Sequence, residues 1–243
     1  MNKLMENKPV LHAVIWIMIY IVTVNIGDAL SESTGAAYWT GVLLLALSVA
    51  LVLYLTKSSR IEAYGMKKIT KQDARKTLFY APLILLAFIQ FFAGIDHTLS
   101  AWDIAIACLL MVGTGFIEEL IFRGLLFQGI RGKSGINRAI LISGITFGIG
   151  HIVNLLRGYG FAELAGQIIV AIAVGIVLAL LVAVTRNLVP GILFHIIFNI
   201  SGTITNQESG MQTYLLIAIL AVAVPYAIYL FRFVHRQKEA EKS

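Results

Sequence analysis

Apolar and polar positions along this chain alternate on the scale of a bilayer, in long blocks separated by short charged ones. A helix needs about 20 apolar residues to cross the hydrocarbon core. Eight stretches come near that length: 10–30, 38–56, 77–95, 104–130, 138–156, 162–185, 188–205 and 212–233. In lipid, every backbone N–H and C=O must be satisfied within the span, so each stretch is read as a helix. The pattern predicts an all-α fold, a polytopic integral membrane helix bundle of about eight transmembrane helices. No polar run is long enough to build a second core, so residues 1–243 are read as a single integral membrane domain. The first stretch, Val10 to Leu30, lacks a small-x-small cleavage site and is followed by further spans. It is read as a retained helix and not as a signal peptide.

Composition agrees: 58% of residues are hydrophobic and 13% charged, with a mean hydropathy of +0.85, against roughly 25% charged in soluble domains. The net charge of +6 could suggest a nucleic-acid partner, but its distribution describes topology instead. Basic residues cluster before the first span, between the second and third, fourth and fifth, and sixth and seventh, and after the eighth. Seventeen of the 19 fall on one side in this way. Arg123 lies within a span, and Arg157 alone falls opposite, among Asp28, Glu32, Asp96, Asp103, Glu163 and Glu208. Positively charged flanks mark the cytoplasmic side, so both termini are expected there. The basic segment Lys57–Lys76 has two readings. Its Ile61, Tyr64, Met66 and Ile69 could form a short helix at the headgroups, or the segment is a solvated loop. Cys108 is the sole cysteine, which excludes an intrachain disulfide and argues against a cysteine metal site.

The candidate chemistry interrupts the fourth stretch. Glu118, Glu119 and Arg123 stand within an otherwise apolar run, and each ionised group at that depth costs roughly 2.5–3.5 kcal/mol. Glu119 and Arg123 are four apart, about 40° around a helix, with Glu on the favourable N-terminal side. Glu118 points about 100° away, which leaves it aimed at something else. The fifth stretch holds Phe147-x-x-x-His151 among Gly144, Gly148 and Gly150, small residues that let helices approach closely. The seventh holds His195-x-x-x-Asn199. Glu118 and His151 each lie about 20 Å from their cytoplasmic flank, and His195 and Asn199 about 10 and 17 Å from Leu188. Taken singly, Phe147 reads as core packing, Asn199 as interhelical glue, and Glu119–Arg123 as a structural pair. His12, His97 and His235 sit near span ends, where solvation suffices. The coincidence of Glu-Glu, His and His-Asn at similar depths points to function.

Glu118-Glu119-x-x-x-Arg123, Phe147-x-x-x-His151 and His195-x-x-x-Asn199 resemble the three ordered motifs of the CAAX protease and bacteriocin-processing (Abi) family of intramembrane proteases. The resemblance covers residues 104–205 as a catalytic core and departs at no motif position. It implies an endopeptidase acting on a membrane-associated peptide or protein near the cytoplasmic face. Glu118 would activate a water with help from His151, while His195 and Asn199 would steady the oxyanion. Two routes stay open. Glu118, His151 and His195 could supply the three protein ligands of a catalytic zinc, or the glutamate could work without a metal. The alternative function is a non-enzymatic immunity protein that binds a toxin or receptor. A carrier would show broken spans repeated in two halves, which this chain lacks. No His-Glu-x-x-His, Gly-x-Ser-Gly or Gly-x-Gly-Asp is present, so those other intramembrane chemistries are excluded.

Overall fold

The structure is a computed structural model describing residues 1–68 and 77–240. Its elements are helical; the one antiparallel bridge among the described residues joins Ile95 and Thr205. In chain order they are α1 (Asn2–Asn7), α2 (Pro9–Thr34), α3 (Trp39–Lys57), α4 (Ala81–Ile89, with a 3₁₀ turn at each end), α5 (Ala101–Glu119), a π-helical segment (Leu120–Leu126), α6 (Phe127–Ser134), α7 (Ile136–Gly150, continued as 3₁₀ by His151–Arg157), α8 (Phe161–Thr185), α9 (Val189–Ile204) and α10 (Gln212–Ala240). Local chemistry sets several boundaries. Pro9 opens α2 and Gly35, at φ 68°, ends it. Ser100 and Asp103 form a reciprocal capping box at the start of α5.

All eight apolar stretches are helical, but not all are long. Among the described residues, six helices have the length and composition to cross a membrane, with α5 to α6 forming one run from Ala101 to Ser134. The stretches read at 77–95 and 188–205 give shorter apolar helices, Ala81–Ala93 and Val189–Ile204. The second, at 16 residues, is about 24 Å long. These two pack on each other and are tied by polar contacts. Gln90 donates to the Phe198 carbonyl at 2.6 Å, and the Asp96 and Asn206 amides bond the Ile204 and Gly94 carbonyls, each at 3.0 Å. In the basic segment, 58–68 forms turns instead of a helix, with Tyr64 and Gly65 buried. The Gly65 carbonyl accepts the Leu188 amide at 2.9 Å, so this part tucks under the start of α9; Ile69 and its neighbours to 76 lie outside the described residues.

His12 is not solvated. It is 1% exposed, and its Nε2 accepts from Trp16 Nε1 and lies beside the Tyr54 hydroxyl, both at 3.2 Å. This cluster joins α2 to α3. The core centres on α8, which packs against α7 and α10 and is buried along Val177–Thr185. Gly144 and Gly148 make the α7–α8 approach possible: a Cβ on either would stand 2.9 or 2.8 Å from the backbone nitrogen of Ile176 or Ile172. Gly150, expected to share this role, faces open space. Gly148→Ala should therefore destabilise the fold by roughly 1–3 kcal/mol through overpacking. Gly150→Ala should not. Size-exclusion profiles of the detergent-purified protein after stepwise heating would separate the two.

Candidate active site

The site forms where α5 passes into the π-helical segment, immediately after Glu119. A π turn shifts the backbone pairing from i→i+4 to i→i+5; such turns are rare and are frequently found at functional sites. Ser143 on α7 donates to the Phe122 carbonyl within this turn at 2.8 Å, satisfying an acceptor in the altered backbone.

Glu119 and Arg123 are both fully buried, with Arg123 Nη1 donating to Glu119 Oε1 at 2.8 Å. The guanidinium carbon also lies 4.2 Å from the centre of the Phe147 ring, a cation–π contact that strengthens on desolvation. Gly175 on α8 makes room for it: a Cβ there would stand 3.1 Å from Arg123 Nη2. Phe147 is more than a filler. Its ring meets Phe122, His151 and His195 edge-on at centroid distances of 5.4, 5.2 and 5.4 Å, so one aromatic sets the positions of the cation and both histidines.

His195 bridges the two glutamates. Its Nδ1 is 3.0 Å from Glu119 Oε1, the oxygen that also accepts from Arg123, and its Nε2 is 3.5 Å from Glu118 Oε2. The motif reading assigned Glu119 to Arg123 alone; it serves two partners. Glu118, 8% exposed, takes a partner that the sequence did not announce: the Tyr20 hydroxyl on α2 donates to its Oε1 at 2.6 Å. A tyrosine in an apolar span carries no motif, and its pairing with a residue 98 positions away exists only in the folded bundle.

The other two motif residues stand less directly in the cluster. His151 begins the 3₁₀ extension of α7, and its Nδ1 lies 3.2 Å from the Phe147 carbonyl. Among the described residues, no hydrogen bond or ion pair joins it to Glu118. Asn199, half-buried, lies one turn after His195 on α9, hence on the same helical face. The zinc reading requires Glu118, His151 and His195 to converge, and they do not. Among the described residues, no group of three or more His, Cys, Asp or Glu side chains is placed to hold a metal ion. Each histidine has Nδ1 engaged, His195 by Glu119 and His151 by the Phe147 carbonyl, which leaves Nε2 as its free nitrogen; the three side chains do not form one ligand group.

Beyond Tyr20 and His151, a cleft of about 510 Å³ is lined by Val24, Asn25, Asp28, Ala29, Glu32, Val153 and Arg157. Arg157, the lone basic residue of the acidic side, bonds Asp28 at 2.6 Å across it. Asp28 also accepts from Thr40 at 2.7 Å, and Asn154, on the Arg157 segment, donates to Gln167 on α8 at 2.9 Å.

A helix bundle that buries two carboxylates, a guanidinium and an imidazole in contact is a membrane-embedded protein built around an ionisable site. Residues 100–201 match the family model described as type II CAAX prenyl endopeptidase Rce1-like, the protease family that the three motifs resemble. The resemblance is borne out over that segment, which carries every motif residue and excludes α2. No curated protein and no solved structure matches the chain.

The contacts divide the two glutamates. Glu119→Gln should lower the amount of folded protein in the membrane, because it weakens the partner of a buried Arg123 and of His195 together. Breaking a buried pair costs roughly 3–5 kcal/mol. Glu118→Gln keeps an acceptor oxygen for Tyr20 and should accumulate normally. Quantitative immunoblots of membrane fractions compare them directly, and equal abundance of both variants would contradict this division.

Proposed function

We propose that this protein is an intramembrane endopeptidase in which Glu118 acts as general base on a water, with His195 and Asn199 stabilising the oxyanion. The observation that supports this most is the inequality of the two glutamates. Glu119 is fully buried and held through Oε1 by Arg123 and His195, with Oε2 sealed from solvent. Glu118 has its Oε2 3.5 Å from His195 Nε2, longer than a direct bond. That oxygen can take a proton from a water attacking a peptide carbonyl, provided the water lies within hydrogen-bond reach.

Geometry supports the role of His195. Its Nδ1 faces Glu119 and its Nε2 faces Glu118, and carboxylates only accept. When substrate displaces the Glu118 contact, Nε2, as an N–H, is placed to donate to the oxyanion. Asn199, one turn on, offers an amide N–H₂ for the same purpose. His151, beside Phe147, is assigned to helping orient the water. The chemistry proceeds without a metal in this reading.

The substrate is a membrane-associated peptide or protein, and the termini are assigned to the cytoplasm from the basic flanks. Cysteines at Ser58 and Glu32, on opposite sides in this topology, should react with impermeant maleimide only from the cytoplasm and only from outside, respectively. For activity, peptides from membranes of wild-type and Glu118→Gln cells should differ by mass spectrometry, with cut products missing in the variant. Asn199→Ala should retain folding and lose roughly 10²–10³ in kcat, as for other single oxyanion donors. Identical peptide profiles in wild-type and Glu118→Gln cells would favour the binding-only immunity role.

A further inference from the structure

We propose that Tyr20 is a positioning residue for Glu118, so that helix α2, outside the family-matched segment, completes the active site. The inference rests on the reading of Glu118 as the base. A phenol donates and a carboxylate accepts, so the 2.6 Å contact is a charge-assisted bond, stronger than a neutral one. It occupies Oε1 and leaves Oε2, beside His195, as the oxygen free to accept a proton. The carboxylate is thereby held in one rotamer, and of its two oxygens only the one beside the proposed oxyanion donor is left free.

The donor is itself held in place. Helix α2 packs on the π-helical segment and is fixed on both sides of Tyr20. Below, His12 lies between Trp16 and Tyr54; above, Asp28 bonds Thr40 and Arg157. These two anchors restrict sliding or rotation of α2, and with it the hydroxyl. Tyr20 touches no reacting atom in this account. It acts by deciding how Glu118 meets the water.

The test uses full-length protein in nanodiscs, with synthetic substrates copied from the peptides that distinguish wild-type from Glu118→Gln membranes. Tyr20→Phe removes one oxygen and keeps the ring. It should leave abundance, thermal unfolding and KM unchanged while lowering kcat roughly ten- to a hundredfold, the worth of one hydrogen bond to a charged group. A second readout needs no turnover: dicyclohexylcarbodiimide, an apolar carboxyl reagent, should modify Glu118 faster in Tyr20→Phe, as read by peptide mass spectrometry. Should Tyr20→Phe fold poorly, 3-fluorotyrosine at position 20 keeps both shape and donor and should retain wild-type kcat; loss of kcat there would count against the proposal.

Asp28→Asn, which weakens one anchor of α2 while the His12 cluster and the Tyr20–Glu118 bond remain, should lower kcat less than Tyr20→Phe does. If it lowers kcat as far as Tyr20→Phe does, Tyr20 merely docks the helix and the proposal falls. If Glu118→Gln is inactive while Tyr20→Phe matches wild type in kcat and labelling, the proposal falls and the base reading stands. If Glu118→Gln is active, the base reading fails, and this proposal with it.

Discussion

The Glu119–Arg123 pair is the constraint around which the bundle is arranged. A guanidinium and a carboxylate with no exposed side-chain surface persist inside a membrane only when each is neutralised and surrounded by suitable atoms. Four elements meet part of that demand, while Glu119 Oε2 and Arg123 Nε and Nη2 are buried without a hydrogen-bond partner among the described residues. The π-helical segment carries Arg123, α7 lays Phe147 under it, α8 withdraws a side chain at Gly175, and α9 brings His195 to the same carboxylate oxygen. The pair therefore fixes the registers of α5, α7, α8 and α9 against one another. Those registers place Glu118 next to His195.

This arrangement gives two adjacent residues different surroundings. Glu119 faces the core and is bonded through one oxygen by both Arg123 and His195, whereas Glu118 faces α2 and has one oxygen bonded by Tyr20. An i,i+1 pair on a helix points in directions about 100° apart, so one motif can serve both needs without competition. The segment that matches a protease family, residues 100–201, holds both carboxylates, and their environments are unequal.

Much of the fold was legible because membrane helices announce themselves by length and hydropathy, and the charged flanks could be read from Lys and Arg alone. The motif residues were legible because an ionisable group in a span has few bland explanations. What escaped depended on contacts between distant segments. Tyr20 and His12 look like ordinary span residues until α2 packs on the π-helical segment and α3. The π turn after Glu119 has no compositional mark; Leu, Ile and Phe there suit an α-helix equally well. The shortness of α9 follows from Pro190 near its start, the extended Thr205 at its end, and its ties to α4, not from its apolar composition. Convergence of Glu118, His151 and His195 on a metal was plausible from depth along the helices, but depth does not state rotation. In the arrangement found, Glu118, His151 and His195 do not form one ligand group among the described residues.

The central claim is that water, activated by Glu118, attacks the peptide carbonyl directly. Single-turnover cleavage in H₂¹⁸O, with protein in excess over substrate, tests it most directly. The account predicts ¹⁸O in the new carboxylate of the product and none in the peptide that contains Glu118. Label in the Glu118 carboxylate would reveal a covalent acyl intermediate on that residue and contradict the account.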